Sequence, residues 1–173
     1  MTDPAPDSAA SPAAFQRHDH RRCVASARAA VESACAERGL RLTPARARVL
    51  EILLASHEAL GAYDVLERLR AAGHPAQPPV AYRALDFLVA NGFAHRIEKL
   101  NAFVACAHPD EGAQTAHAPA FMICRACRRV AETSAGPAAA SVADAARDLG
   151  FEVERTVVEI EGVCPDCRAR PEA

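Results

Sequence analysis

Residues 78–95 read PPVAYRALDFLVANGFAH, and the way this stretch divides decides the fold. Two prolines open a helix at positions whose missing N–H groups cost nothing, and Asn91-Gly92 close it. Between them Ala81, Ala84, Leu85 and Leu88 recur at 3, 4 and 7 spacing and make one apolar stripe, which leaves Tyr82, Arg83 and Asp86 together on the other side. The helix therefore buries one face and turns an aromatic and an arginine outward. Beyond it, Phe93 to Glu98 and Ala102 to Ala105 read as two short strands around a turn at Lys99-Leu100-Asn101.

Working back towards the N-terminus, Ala62 to Ala72 is a short helix with Val65, Leu66 and Leu69 inward and Gly73 as its stop. Thr43-Pro44 starts the helix before it, an N-cap hydroxyl followed by proline at the first helical position, and Val49, Leu50, Leu53 and Leu54 form its apolar face. A further Ala-rich helix, from Arg22 to Arg38, ends at Gly39. Three helices and a hairpin in this order constitute a winged helix-turn-helix, placed here within residues 21–106, whose last helix enters the DNA major groove. Residues 1–20, rich in Ala, Pro, Ser and Asp, have too few large apolar groups to offset the entropy of ordering and are predicted to be a disordered tail.

Working forward, residues 107–120 are rich in Ala, Pro, Gly and Asp and read as a hinge. A second unit over 121–170 follows: a strand at 121–123, another at 129–133, a helix at 138–149 and a Val/Ile-rich strand at 152–161. About 50 residues is too few for a self-sufficient core, so this α/β unit needs a staple. The whole chain is thus α+β, with the DNA-binding unit first.

The composition sets the outer bounds. The chain has 173 residues, 20 Lys+Arg against 22 Asp+Glu, and half of its residues are apolar. No window approaches the roughly 18 apolar residues of a membrane span, and the first twenty residues hold no uninterrupted apolar run. A cytoplasmic protein with reduced, metal-binding thiols is expected, and membrane or secreted classes are disfavoured. The net charge of -2 hides an asymmetry: residues 1–22 sum to 0, 23–106 to +2 and 107–173 to -4. Of the twenty cationic side chains only Lys99 is lysine, and the guanidinium fork suits phosphate and guanine.

Cys124-Arg-Ala-Cys127 and Cys164-Pro-Asp-Cys167 are paired C-x-x-C knuckles at strand ends. Four thiolates satisfy tetrahedral zinc with no open position, so this site is structural, and its binding energy is folding energy for the small unit. Among the other candidates, Cys23 and Cys35 read as packing thiols of the first helix, His18 and His20 as tail residues able at most to bind metal weakly, and His57 and His74 as surface groups at helix ends. His95, Cys106 and His117 bracket the hinge and, with Glu132, could form one mixed site between the two units. No His is followed two residues later by Glu, and His57-Glu58 lacks the second His of H-E-x-x-H, so no zinc-enzyme signature is present and an enzyme is not expected.

AYDVLERLR at 62–70, the stretch at 78–95, FMICRAC at 121–127 and CPDC at 164–167 together resemble the ferric uptake regulator family, most closely its zinc uptake regulator branch, from about Gly39 to Cys167. The resemblance implies a homodimer with an N-terminal winged helix and a C-terminal zinc-stapled dimerisation domain. It makes Cys124, Cys127, Cys164 and Cys167 the structural zinc site and His95, Cys106, His117 and Glu132 the regulatory one, two zinc ions per monomer, with His108 able to substitute in the hinge. It makes Arg83 the base reader with Tyr82 beside it, Tyr63 a second contact with a partly buried aromatic as the alternative, and Arg41, Arg46 and Arg48 phosphate contacts. The family's Thr-Val-Tyr-Arg appears here as Val80-Ala81-Tyr82-Arg83, without the hydroxyl.

These readings converge on a zinc-responsive repressor that binds palindromic double-stranded operators as a zinc-loaded homodimer and controls zinc uptake genes, with no membrane and no small-molecule substrate. Sensing of iron, nickel or peroxide is the rival within the family. A thiolate at Cys106 favours a softer metal than the His/carboxylate sets of iron and manganese sensors. A non-catalytic zinc-ribbon interaction module is the rival of another class.

Overall fold

The computed structural model describes residues 13–16, 18–74, 77–109 and 118–170. Its first helix, α1, spans His20–Glu37, starting before the expected Arg22 because Asp19 caps it. The Asp19 carboxylate accepts the backbone N–H groups of Arg21 and Arg22 at 3.1 and 3.3 Å. The expectation of a disordered tail is corrected over its last residues: Ala13–Phe15 forms a 3-10 turn, and Ala14 is buried. Residues 1–12 lie outside the described residues.

Helix α2 (Pro44–Leu54) begins behind Thr43, whose hydroxyl accepts the Arg46 N–H at 3.4 Å. Helix α3 (Ala62–Ala71) is held at its start by the Gly61 N–H donating to Asp64 Oδ2 at 2.8 Å. Helix α4 (Pro78–Ala90) buries Ala81, Ala84, Leu85 and Leu88, the stripe read from the sequence. At its end Gly92 takes φ +74°, a value that favours glycine, and the Phe93 N–H then reaches Leu88 O at 2.8 Å, aiming the chain into the wing. The wing strands are β2 (Ala94–Ile97) and β3 (Ala102–Ala105), antiparallel with Ala94 opposite Ala105. A two-residue strand not expected from the sequence, β1 (Leu60–Gly61), adds to β3 and gives the order β1-β3-β2. Val31, Leu50, Leu53, Leu66, Leu85, Leu88 and Phe93 fill the helical core.

The second unit contains β4 (Pro119–Cys124), β5 (Val130–Ser134), α5 (Gly136–Asp148), β6 (Val158–Gly162) and α6 (Pro165–Arg168). Central β4 pairs antiparallel with β5 and parallel with β6. The unit's boundaries differ from those expected, with helix α5 beginning at Gly136 and not at 138. The expected strand at 152–161 shrinks to β6, because β4 starts at Pro119 and its register with Val158 leaves the residues before 158 no strand to pair with. The hinge loses Pro119 and Ala120 to β4, and residues 110–117 lie outside the described residues.

The two units share a second core: Ala59, Ile97, Ala102 and Val104 pack with Phe121, Ile123 and Val130. Backbone bonds cross the same seam, from Ala59 N–H to Arg128 O at 3.1 Å and from Val130 N–H to His57 O at 2.9 Å. At the wing turn, Glu159 of β6 accepts the N–H groups of Glu98 and Lys99 at 2.7 and 3.0 Å, and Lys99 Nζ pairs with Glu161 at 3.1 Å. Among the described residues no helix is long and apolar enough to cross a membrane.

Candidate metal centres and nucleic-acid interface

The knuckles converge because parallel pairing sets Cys124, the last residue of β4, against Gly162, the end of β6, from which the chain runs on to Cys164. The four sulfur atoms lie within 4.8 Å of one another, and Cys127 Sγ is 3.8 Å from Cys164 Sγ. Sulfurs bound about 2.3 Å from one zinc at tetrahedral angles stand about 3.8 Å apart, so the set fits the ion. Arg128 at φ +59° turns the chain back after the first knuckle. Donors surround the sulfurs: Cys164 N–H points to Cys124 Sγ at 3.3 Å, and Arg129 reaches Cys127 Sγ at 3.4 Å and Cys164 Sγ at 3.5 Å. Burial works to raise the Cys124 thiol, but the backbone N–H groups of Cys164, Cys127 and Ala126 outweigh it and bring it down to about 6. Cys167 is pushed up to about 12 by its hydrogen-bonded thiol neighbours Cys164 and Cys127. Thiols this close cannot all ionise together unless a divalent cation lies among them.

Of the four residues expected at the regulatory site, three come together. His95 on β2, Cys106 just past β3 and Glu132 on β5 offer ligand atoms within 4.8 Å of one another, and His117 lies outside the described residues. His95 Nε2 is 2.9 Å from Glu132 Oε1, yet this buried nitrogen makes no hydrogen bond. Cys106 Sγ is 4.0 Å from the same oxygen, and the Ala107 N–H donates to Glu132 Oε2 at 2.8 Å, fixing the carboxylate from the hinge side. Burial would raise the Glu132 carboxyl, but the His95 imidazole and the Ala107 N–H hold it below the usual carboxylate range. Two imidazole or thiolate donors and one carboxylate, contributed by both units, match a zinc or similar borderline cation. The His108 N–H donates to Cys106 Sγ at 3.4 Å.

A third group corrects the sequence reading. Cys23 and His57, expected to be a packing thiol and a surface imidazole, lie with His18 and His20 in one cluster. Sequence separation concealed it, since His57 belongs to the loop between α2 and β1. Burial, then the nearby imidazoles of His20 and His18, lower His57 to about 4. Cys35 is buried in the helical core as expected, and His74 is exposed.

Of the residues expected to contact DNA, Tyr63 at the start of α3 is 73% exposed and Tyr82 on α4 is 42% exposed, with Arg83 exposed beside it. Tyr63 is thus not the partly buried aromatic of the alternative reading. Arg41 is exposed as well. Arg46 is otherwise engaged: its guanidinium lies 3.6 Å over the Phe87 ring, and Nη1 donates to Arg41 O at 2.6 Å. Arg48 pairs with Glu51 at 2.8 Å. Arg46 thus braces α2 against α4 and Arg48 is held within α2, a cost to their expected role at phosphate.

Comparison with known proteins follows the same lines. The family model described as the ferric uptake regulator family matches residues 37–161. The zinc uptake regulation protein of Escherichia coli (strain K12) is 40% identical over 139 residues, covering 80% of this chain and 80% of that protein. Among solved structures, a zinc uptake regulator complexed with zinc and DNA is 36% identical, with a TM-score of 0.76 over 89% of this chain and 98% of its own. The crystal structure of holo XcZur is 41% identical, with a TM-score of 0.75 over 84% of this chain and 99% of its own.

Proposed function

This chain belongs to the ferric uptake regulator family, and on that premise we propose that it is a zinc-responsive, DNA-binding repressor that acts as a homodimer on palindromic operators. Its targets are zinc uptake and homeostasis genes, its place is the cytoplasm, and it acts by binding, not by catalysis. The observation that carries the reading is the meeting of His95 and Glu132, from the wing and from the second sheet, at 2.9 Å beside Cys106.

Zinc would be held at two kinds of site: by Cys124, Cys127, Cys164 and Cys167 as a permanent staple, and by His95, Cys106 and Glu132, with His117 as the fourth ligand, as the regulatory ion. Bound there, zinc supplies four directed bonds whose donors belong to both units. Separating the units pulls these donors apart, so ion binding selects the arrangement in which they converge. In that arrangement Glu159 grips the wing turn, and the shared apolar seam keeps α4 in fixed relation to the dimerisation sheet. Two such helices in a dimer then meet successive major-groove faces. Arg83 reads base edges with Tyr82 and Tyr63 alongside, and Arg41 meets phosphate.

Dimerisation has a physical basis in the second unit. Among the described residues seven large hydrophobic side chains are exposed, and five of them, Val142, Leu149, Phe151, Ile160 and Val163, lie on or next to α5 and β6. The other two are the tyrosines of the DNA face. Exposed large apolar side chains concentrated in one stretch of the chain, from 142 to 163, are material for an association surface.

The test compares wild type with Cys106→Ser in zinc content and in binding to a palindromic duplex selected from random sequence, with and without added zinc. The expected outcome is that the variant stays folded, holds one equivalent fewer and no longer tightens on DNA when zinc is added. Equal zinc content and equal DNA binding would make Cys106 a packing residue and sink the sensor reading. If the variant lost its response to zinc but wild type responded better to ferrous iron, the iron-sensing rival would replace it.

A further inference from the structure

The cluster of His18, His20, Cys23 and His57 has the geometry of a site and no role in the function above. His18 and His20 flank Asp19, the cap of α1, Cys23 lies one turn further on, and His57 comes from the loop after α2. Their ligand atoms all fall within 4.8 Å of one another.

Each of the two arm imidazoles is oriented by a backbone carbonyl. His18 Nδ1 is 3.1 Å from Gln16 O, and His20 Nε2 is 3.0 Å from Ala55 O. A carbonyl only accepts, so these contacts place the ring N–H on His18 Nδ1 and on His20 Nε2. The opposite nitrogens, His18 Nε2 and His20 Nδ1, are therefore lone pairs, and they face each other at 3.4 Å. His57 Nε2 completes the triangle, 3.2 Å from His18 Nε2. Two bare acceptors at that distance repel unless a positive centre lies between them. Nitrogens bound about 2.0–2.1 Å from one tetrahedral ion stand about 3.3–3.4 Å apart, the spacing found here. An imidazole that gives one nitrogen to a carbonyl and aims the other at a shared point is the usual posture of a metal-bound histidine.

We propose that His18, His20, Cys23 and His57 form a further metal site, a tetrahedral set of three imidazoles and one thiolate that takes zinc or a similar borderline divalent cation. Such a site staples the N-terminal arm and α1 to the loop that crosses the seam between the units. The His57 carbonyl accepts the Val130 N–H at 2.9 Å, and Arg129, the residue before, donates to Ala14 O of the arm at 3.3 Å. His20, Cys23 and His57 also line a cavity of about 610 Å³ whose other wall includes Cys106 and Glu132. Residues of the arm site and of the regulatory site thus line one chamber.

The full-length protein tests this, with zinc and cobalt(II) as the probes. Wild type is expected to hold three zinc ions per chain, and His57→Ala and His18→Ala two each. Combining His57→Ala with Cys106→Ser should leave one, the four-cysteine ion. His18 lies on the arm, so its variant keeps the result independent of any folding defect at the loop. In the cobalt-loaded Cys106→Ser background, Cys23→Ser should weaken the thiolate-to-cobalt absorption by the share of one sulfur. Unchanged zinc content in both histidine variants, or a double variant equal to Cys106→Ser alone, overturns the proposal. None of these readouts involves DNA, so failure here is separable from failure of the repressor reading.

Discussion

Arg83 is where chemistry at the scale of one residue decides most. It stands exposed on α4 beside Tyr82, on the face opposite the buried Ala81, Ala84, Leu85 and Leu88. A bidentate arginine–guanine pair contributes about 1–3 kcal/mol of discrimination. Arg83→Ala is therefore expected to weaken operator binding by roughly ten- to a hundredfold while the dimer persists. Arg83→Lys should retain the salt-dependent part and lose the preference between sequences. Titrations on operator and on scrambled duplex at two salt concentrations check this, and unchanged operator affinity in the alanine variant would reject the groove assignment. Arg46 teaches the opposite lesson, since the family resemblance places it among phosphate contacts and packing spends it on Phe87. The same holds for His57 and Cys23, because no spacing rule connects a loop after α2 with the start of α1. The four cysteines were legible at once, as two short motifs whose spacing already dictates tetrahedral ligation.

At the scale of elements, the helices were readable because proline, Thr43 and glycine punctuate apolar stripes of the right period. The strands were less so. β1 has two residues, too few for any alternation to register, and exists because β3 offers it an edge. β6 begins at Val158, six residues later than the expected start at 152, because the register of β4, which begins at Pro119, leaves the earlier residues without a partner strand. The contact between β6 and the wing is the element-level device that couples the two units: Glu159 accepts two backbone N–H groups at the β2–β3 turn. Glu159→Gln leaves one neutral oxygen for two N–H groups that now have an oxygen each and turns an NH2 donor to the other, a change on the order of 1 kcal/mol at an exposed site. The amides of Glu98 and Lys99 should then exchange with solvent about three- to tenfold faster, while those inside α4 keep their protection. Exchange at the turn no faster than in wild type would mean that the apolar seam alone holds the wing.

For the whole molecule the balance is set by size. A domain's stability is about 5–15 kcal/mol, and the binding energy of a structural zinc is about 10–16 kcal/mol, so a second unit of about 50 residues depends on its ion. Cys127→Ser should unfold that unit and abolish the dimer while the helical signal of α1–α4 survives. Sedimentation together with far-ultraviolet circular dichroism reads both at once. A variant that stays dimeric with an unchanged melting temperature would show that the unit's apolar contacts suffice. The seam formed by Ala59, Ile97, Ala102 and Val104 against Phe121, Ile123 and Val130 could not be read from the chain as a hinge, because residues 107–120 look like a spacer while the segments they join are packed on each other.

What the sequence determined alone was whatever depends on neighbours within a few positions: the helices and their caps, the outward pair on α4, the paired knuckles, and the family they resemble. Local geometry and ligand spacing act over one or two turns, so they leave a mark on the string of residues. Tertiary structure decided which side chains meet across long separations. It brought His95 to Glu132, turned Arg46 onto Phe87, docked the wing on Glu159 and gathered His18, His20 and Cys23 around His57. Such meetings arise from burying shared apolar surface, which has no period in sequence.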